Sequence, residues 1–242
     1  MTAAARTGDA RETILGRVRE ALRLPAPPPH LKSHALEPAP IGGLPVLPLE
    51  AARPWLPDGG DSPEESRRIL GENLARLKAE LHQVADAAAA AAFLADLARR
   101  RDWKRVAIHG HPLVAAATAT LACDTYQVDA ASFDKDTLEA CDAGLTTCEV
   151  LVAQTGSVLV SSATCGGRAL SVLPHVHVVV AMIDQVVPTL GDALHAVRER
   201  HAGRLPSMLS FITGPSRTGD IERILVLGAH GPKELIVILV DR

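Results

Sequence analysis

Residues Val176–Met182 read VHVVVAM, a near-continuous apolar run of strand length. A strand with one face in water alternates apolar and polar residues. A run without that alternation is covered on both faces. Such strands belong to the interior of a parallel or mixed sheet, whose crossover connections lay other elements on each face. One polar side chain, His177, interrupts the run. It is either a core histidine with satisfied hydrogen bonds or a donor turned into a site.

The chain from Val106 onward fits that sheet. Val106–His109 reads as a strand, Leu113–Ala122 as a helix, Thr125–Val128 as a strand and Asp134–Ala143 as a helix. Leu145–Ala153 and Ser157–Ser161 read as strands, Pro188–Arg200 as a helix and Leu235–Val240 as the last strand. This alternation predicts an α/β fold: three layers, with a parallel or mixed sheet and helices on both faces. Upstream, Ser62-Pro63-Glu64-Glu65 supplies a cap, a proline at the first helical position and a glutamate at the third. Ile69, Leu70, Leu74, Leu77 and Leu81 continue at helical spacing. Asp86–Arg100 reads as a further helix, with Arg99 and Arg100 complementing its C-terminal dipole.

The N-terminal quarter is different. Residues 9–23 carry Asp9 and Glu12 at capping-box spacing, with Ile14, Leu15, Val18 and Leu22 on one helical face. Residues 25–63 then hold eleven of the 17 prolines, a density that excludes a helix or a central strand. Large apolar residues (Ile41, Leu44, Val46, Leu47, Trp55) distinguish this stretch from a free linker. The expectation is a helix and extended arm over 1–61, laid on a surface of this chain or of a second subunit, followed by an α/β domain over 62–242.

Composition narrows the function. A net charge of −3 with mixed signs argues against a nucleic-acid surface. No apolar run reaches the ~20 residues of a membrane helix, and the N-terminus has no secretory signal pattern, so a cytoplasmic protein is expected. The four cysteines form no close pair, which disfavours a zinc site or an iron–sulfur cluster. The four thiols read as buried or inert, and Cys165, in a loop near Arg168, is the one whose pKa an arginine would lower. Flavin and nicotinamide fingerprints are missing from the sequence, so no cofactor is expected on this chain. His109 and His111 follow the first strand of the sheet, at the end where α/β sheets hold ligands. Two histidines hold a metal only with a third ligand, which the sequence does not identify, so no metal is expected.

The richest stretch chemically is SMLSFITGPSRTGDIERILVLGAHGP, residues 207–232. Gly214-Pro215 ends a strand. Ser216, Arg217 and Thr218 then stand where a helix would begin, with Asp220 and Glu222 in its first turn. Free N–H groups, two hydroxyls and a guanidinium make an anion site. His230, Gly231 and Pro232 form a second turn beyond the strand Ile224–Leu227. The bland alternative is turns and caps, with Arg217 paired to the acids.

This stretch resembles the C-terminal signature of the lactate-utilisation (LUD) domain family, in its LutC/YkgG branch. Gln154-Thr155-Gly156-Ser157-Val158-Leu159-Val160, Ser171–Val180 and Val187-Pro188-Thr189-Leu190 resemble further segments of that family, in the same order. The resemblance implies a fold similar to the NagB/RpiA/CoA-transferase-like class. It also implies service in oxidising L-lactate to pyruvate, beside Fe–S cluster oxidoreductase subunits that carry the electrons. On that reading Gln154, Thr155, Gly156, Ser157, His177, Gly214, Pro215, Ser216, Arg217, Thr218 and Gly231 bind a small anionic substrate, and Asp220, Glu222 and His230 move protons. The family segment usually carries a glutamate where this chain has Gln154. A carboxamide cannot be the nucleophile of a glutamyl-thioester step. An independent CoA-ester or sugar-phosphate enzyme and a non-catalytic assembly subunit stay open as alternatives, as does a homo-oligomer.

Overall fold

The computed structural model describes residues 6–21, 23, 57–128, 133–218, 226–227 and 231–241. The chain divides into two units, Met1–Trp55 and Leu56–Arg242. In the first, helix α1 spans Arg6–Ala21. The Pro-rich arm lies outside the described residues apart from the stretch from 57 onward.

The second unit opens with α2, Pro63–Arg76, where the Ser62 side chain accepts from the Glu65 N–H as the sequence predicts. Strand β1 (Glu80–Val84) follows, then α3 (Ala87–Arg100), capped by Asp86, and β2 (Arg105–Ile108). Next come α4 (Pro112–Thr118), β3 (Asp124–Gln127), α5 (Lys135–Glu139) and β4 (Ala143–Thr146). Three strands, β5 (Val150–Val152), β6 (Ser157–Ser161) and β7 (Val176–Met182), precede the short β8 (Val186–Val187). The chain ends with α6 (Leu190–Arg200), β9 (Leu209–Ile212), β10 (Arg217–Thr218), β11 (Val226–Leu227) and β12 (Glu234–Val240).

Six strands form one parallel sheet in the order β1-β12-β7-β4-β2-β3. Its centre is the β7–β12 pair, in register from Val176 opposite Glu234 to Met182 opposite Val240. Side-chain alternation then fixes two cores. Val176, Val178, Val180, Ile236, Ile238 and Val240 meet α3 and α4 on one face. Val179, Ala181, Leu235, Val237 and Leu239 meet Leu70 and Leu74 of α2 and the strands β5 and β6 on the other. Each of the valine, leucine and isoleucine side chains contributes about 1.5–3 kcal/mol by leaving water, so the central pair anchors the fold.

The second face carries a small sheet that the sequence does not announce. Its order is β8-β5-β6-β9, with α6 packed outside it through Ala193 and Val197. The expected strand Leu145–Ala153 is therefore two strands in two sheets. β4 ends at Thr146, residues 147–149 cross the layer, and β5 starts at Val150. Leu81 fits the helical spacing of α2 but lies in β1. The helix stops at Arg76 and Lys78 reverses the chain at φ +65°. The expected helix start at Ser216–Thr218 is also corrected. Arg217 and Thr218 form β10, antiparallel to β11 with Arg217 opposite Leu227. Gly214, at φ +84°, turns the chain beside Leu77. The backbone groups of 217–218 then go to a partner strand, a tertiary pairing that overrides local helix signals.

Candidate functional site

From β2 the chain moves outward to β3, then returns across β2 to β4 and continues to β7 on the other side. The strand order thus reverses between β2 and β4. Their following segments also part company. After β2 the chain enters α4 on one face, and after β4 it enters the small sheet on the other. This leaves a crevice at the carboxyl ends of β2 and β4, the topological switch point where open α/β sheets hold ligands.

His109 and Thr147, the first residues past these two strands, meet across the crevice. The Thr147 backbone N–H donates to His109 Nε2 at 3.3 Å. Two residues on, His111 caps α4 by accepting the Leu113 N–H at Nδ1, 3.2 Å away, with Pro112 at the first helical position. The two rings lie 5.9 Å apart. They line a cavity of about 530 Å³ together with Gln127, Thr164, Gly166 and Gly167. Gly166 matters sterically, since a Cβ there would stand 2.9 Å from the Cβ of His109 and 2.5 Å from Leu170. His109 is only 6% exposed. Burial, reinforced by the nearby His111, lowers its pKa to about 4. Burial also lowers that of His111. Both rings are therefore neutral at pH 7.

A second cavity, about 310 Å³, adjoins through His111 and Thr164 and is lined further by Thr147, Cys148, Gln185 and Arg200. Arg200 is held from behind. Its Nη1 donates to Glu149 Oε2 at 2.7 Å and to the Glu149 carbonyl at 2.8 Å. Glu149 is fully buried. Its other oxygen meets His201 Nε2 at 2.9 Å and the Thr164 hydroxyl at 2.6 Å. Burial alone would raise its pKa, but hydrogen bonds from Ser161, Thr164, His201 and Arg200 outweigh burial and bring it to about 2. The carboxylate is thus ionised, and Thr164 links it directly to the cavity wall.

The residues singled out from sequence gather at the opposite, amino-terminal edge of the large sheet. Gly156 and Gly214 pack against the end of α2 at Asn73 and Leu77. Thr155, Ser157 and Thr213 form a hydroxyl chain with spacings of 2.7 and 2.8 Å. Arg217 donates to the Leu77 carbonyl. The Ser216 N–H donates to the Pro232 carbonyl at 2.8 Å, and Gly231 lies beside Ser216. Pro215 shares the turn at Gly214. Gln154 is a joint: its amide donates to the Pro57 carbonyl at 2.7 Å and accepts the Leu190 N–H at 3.4 Å. Asp220, Glu222 and His230 lie outside the described residues.

His177 joins neither group. It is buried in β7, its Nε2 is 2.8 Å from the Thr146 hydroxyl, and its Nδ1 has no partner. Burial lowers its pKa to about 3. Cys165 keeps to the buried-thiol reading and not to the arginine-activated one. It is 1% exposed and burial raises its thiol pKa, while Arg168 turns away to the Ser207 carbonyl. Sequence reasoning missed Arg200 and His201, which look like ordinary basic residues ending a helix. The available signal was Glu149, an acid inside the apolar stretch 148–153.

A parallel α/β domain with a polar crevice at its switch point has the arrangement in which open α/β sheets place their ligand sites. Residues 68–240 match the family model of the LUD domain, so this chain belongs to the LUD domain family. A crystal structure of a DUF162 family protein from Deinococcus radiodurans, at 1.70 Å resolution, is similar with a TM-score of 0.56 and 25% identity. The similarity covers 74% of this chain and 98% of that one. Curated relatives carry the name lactate utilization protein C. The protein from Anoxybacillus flavithermus is 37% identical over 123 residues, covering 49% of this chain and 54% of the relative. Those from Bacillus subtilis and Deinococcus radiodurans are 36% and 39% identical, covering 44% and 48% of the relatives. The chain spans about half the length of the curated relatives it matches.

Proposed function

We propose that this chain serves in lactate utilisation by binding a small carboxylate, L-lactate or pyruvate, in the switch-point crevice. A partner bearing Fe–S clusters carries the electrons of the oxidation. The observation that supports the crevice is the His109–Thr147 contact, which places a neutral imidazole at the wall of the larger cavity between β2 and β4. Arg200 in the adjoining cavity is suited to a carboxylate, because its bond to Glu149 engages Nη1 and leaves Nε and Nη2 without a side-chain partner among the described residues. The lining supplies hydroxyl, amide and imidazole groups for the oxygen on the neighbouring carbon. Gln154 gives no support to an acyl-enzyme reading, since both ends of its amide hold backbone groups.

The test is thermal stability with L-lactate, pyruvate, phosphate and acetyl-CoA on wild type, Arg200→Ala and Arg217→Ala. A ligand at ~100 times its Kd stabilises by about 2.7 kcal/mol. A pyruvate or lactate shift that survives Arg217→Ala and disappears in Arg200→Ala is the expected result. Loss in Arg217→Ala alone would move the ligand to the amino-terminal edge and refute the crevice.

A further inference from the structure

The two crevice histidines are fixed in opposite tautomers by the backbone. His109 Nε2 accepts the Thr147 N–H, so that nitrogen carries no proton and the neutral ring bears its hydrogen on Nδ1. His111 Nδ1 accepts the Leu113 N–H, so its hydrogen is on Nε2. Neither protonated nitrogen has a hydrogen-bond partner among the described residues. The two rings thus carry unpartnered N–H donors and both line a cavity whose lining holds no carboxylate.

We infer that His109 and His111 act together as paired neutral hydrogen-bond donors that grip one oxyanion of the ligand between them. The inference rests on the crevice being the ligand site and specifies how that site recognises its ligand. The ring centres are 5.9 Å apart, close enough for one small anion to reach both rings. Gln127 lines the same cavity with a further amide donor. In these tautomers the remaining nitrogen of each ring carries a proton and not a lone pair, so the pair refuses a metal ion in this arrangement. A third histidine, cysteine or carboxylate placed to complete a metal site is missing among the described residues. Donation comes from neutral rings, so the grip does not depend on an imidazolium. The other titratable groups lining the two cavities are Cys148 and Arg200, with Glu149 and His201 behind Arg200.

The geometry prescribes a matched pair of substitutions. Gln places an amide group where His has Nε2, and Asn places one where His has Nδ1. His109→Gln and His111→Asn therefore each keep the acceptor that the backbone uses and delete the free ring donor. Histidine-selective 15N labelling of the full chain, with one- and multiple-bond 15N–1H correlation, reads the tautomers directly, and the two variants assign the signals. The expected result at pH 6–8 is a neutral Nδ1–H ring for His109 and a neutral Nε2–H ring for His111. Sodium pyruvate should shift both N–H signals, and each variant should raise the pyruvate Kd on the order of tenfold, the loss of one bond to a charged acceptor.

An imidazolium at either position, or the reverse tautomer, overturns the inference. So does stoichiometric Zn²⁺ binding that shifts both rings. If pyruvate stabilises the protein while both histidine signals stay in place, the paired donors are refuted and the carboxylate reading of the crevice stands. If inorganic phosphate shifts both signals and pyruvate does not, the paired donors stand and the carboxylate reading fails. If neither anion shifts them, the donor role is refuted.

Discussion

Replacing Glu149 with Gln isolates what the buried carboxylate contributes. The side chain is fully buried, and its bonds to Arg200, His201 and Thr164 hold its pKa at about 2 against an ordinary 4.5. A depressed pKa means that the folded state prefers the ionised form. The stabilisation is complete above the unfolded value near 4.5 and is lost as pH falls toward 2. A difference of that size corresponds to about 3 kcal/mol at pH 7. Glu149→Gln keeps the shape and some hydrogen bonds but cannot ionise, so it forfeits this term and leaves Arg200 without its counter-charge. Urea unfolding of wild type and variant at pH 7, 5, 4 and 3 measures the gap directly. The expected gap is about 3 kcal/mol at pH 7 and pH 5, with more than half of it gone by pH 3. A gap that stays constant over this range would refute the reasoning, because it would show that the change acts through packing alone and not through the charge.

Three further outcomes follow from the geometry. Gly214→Ala strains a residue at φ +84° and sets a Cβ 3.0 Å from that of Leu77, so chemical denaturation should show a loss of about 1–3 kcal/mol. Gln154→Ala leaves the Pro57 carbonyl and the Leu190 N–H without their partner and should cost about 1–3 kcal/mol in the same assay, with unchanged ligand binding at the crevice. Native-state alkylation at pH 7 followed by peptide mass mapping should modify Cys123 first and leave Cys148 and Cys165 intact. Burial raises the pKa of all three thiols, and Cys123 alone of the three is not buried.

The fold was legible where one local signal dominates. VHVVVAM gave β7 with both ends correct, because a strand covered on both faces needs nothing but apolar residues. Ser62-Pro63 and Asp86 marked the starts of α2 and α3 through caps that the chain carries within four residues of each other. Signals failed where the deciding partner is far away. Leu81 keeps helical spacing with α2, yet pairs with Val237 in the sheet, 156 positions on. Arg217 follows a turn that suits a helix, but its ladder partner is Leu227. Of the crevice, His109 and His111 were visible from their position after a strand. The Glu149–Arg200–His201 cluster was not, because its bonds span 51 and 52 residues.

The two edges of the large sheet carry different kinds of sequence signal. At the amino-terminal edge, loops must turn sharply around the end of α2, and this demands glycine, proline, serine and threonine at fixed places. Gly156 and Gly214 have no room for a Cβ against Asn73 and Leu77, and Arg217 caps a carbonyl of the same turn. Such a segment is distinctive in sequence because its backbone is constrained, whatever it binds. At the carboxyl-terminal edge the polar groups arrive singly: one histidine after β2, another at the start of α4, a threonine after β4, an arginine at the end of α6. Each looks ordinary alone. Their meaning comes from the reversal of strand order between β2 and β4, which opens the crevice and brings Thr147 onto His109. A residue pattern that constrains backbone is easy to read and speaks first of folding. A crevice assembled by topology is quiet in sequence, and here it brings the buried charge, the neutral imidazoles and the cavities together.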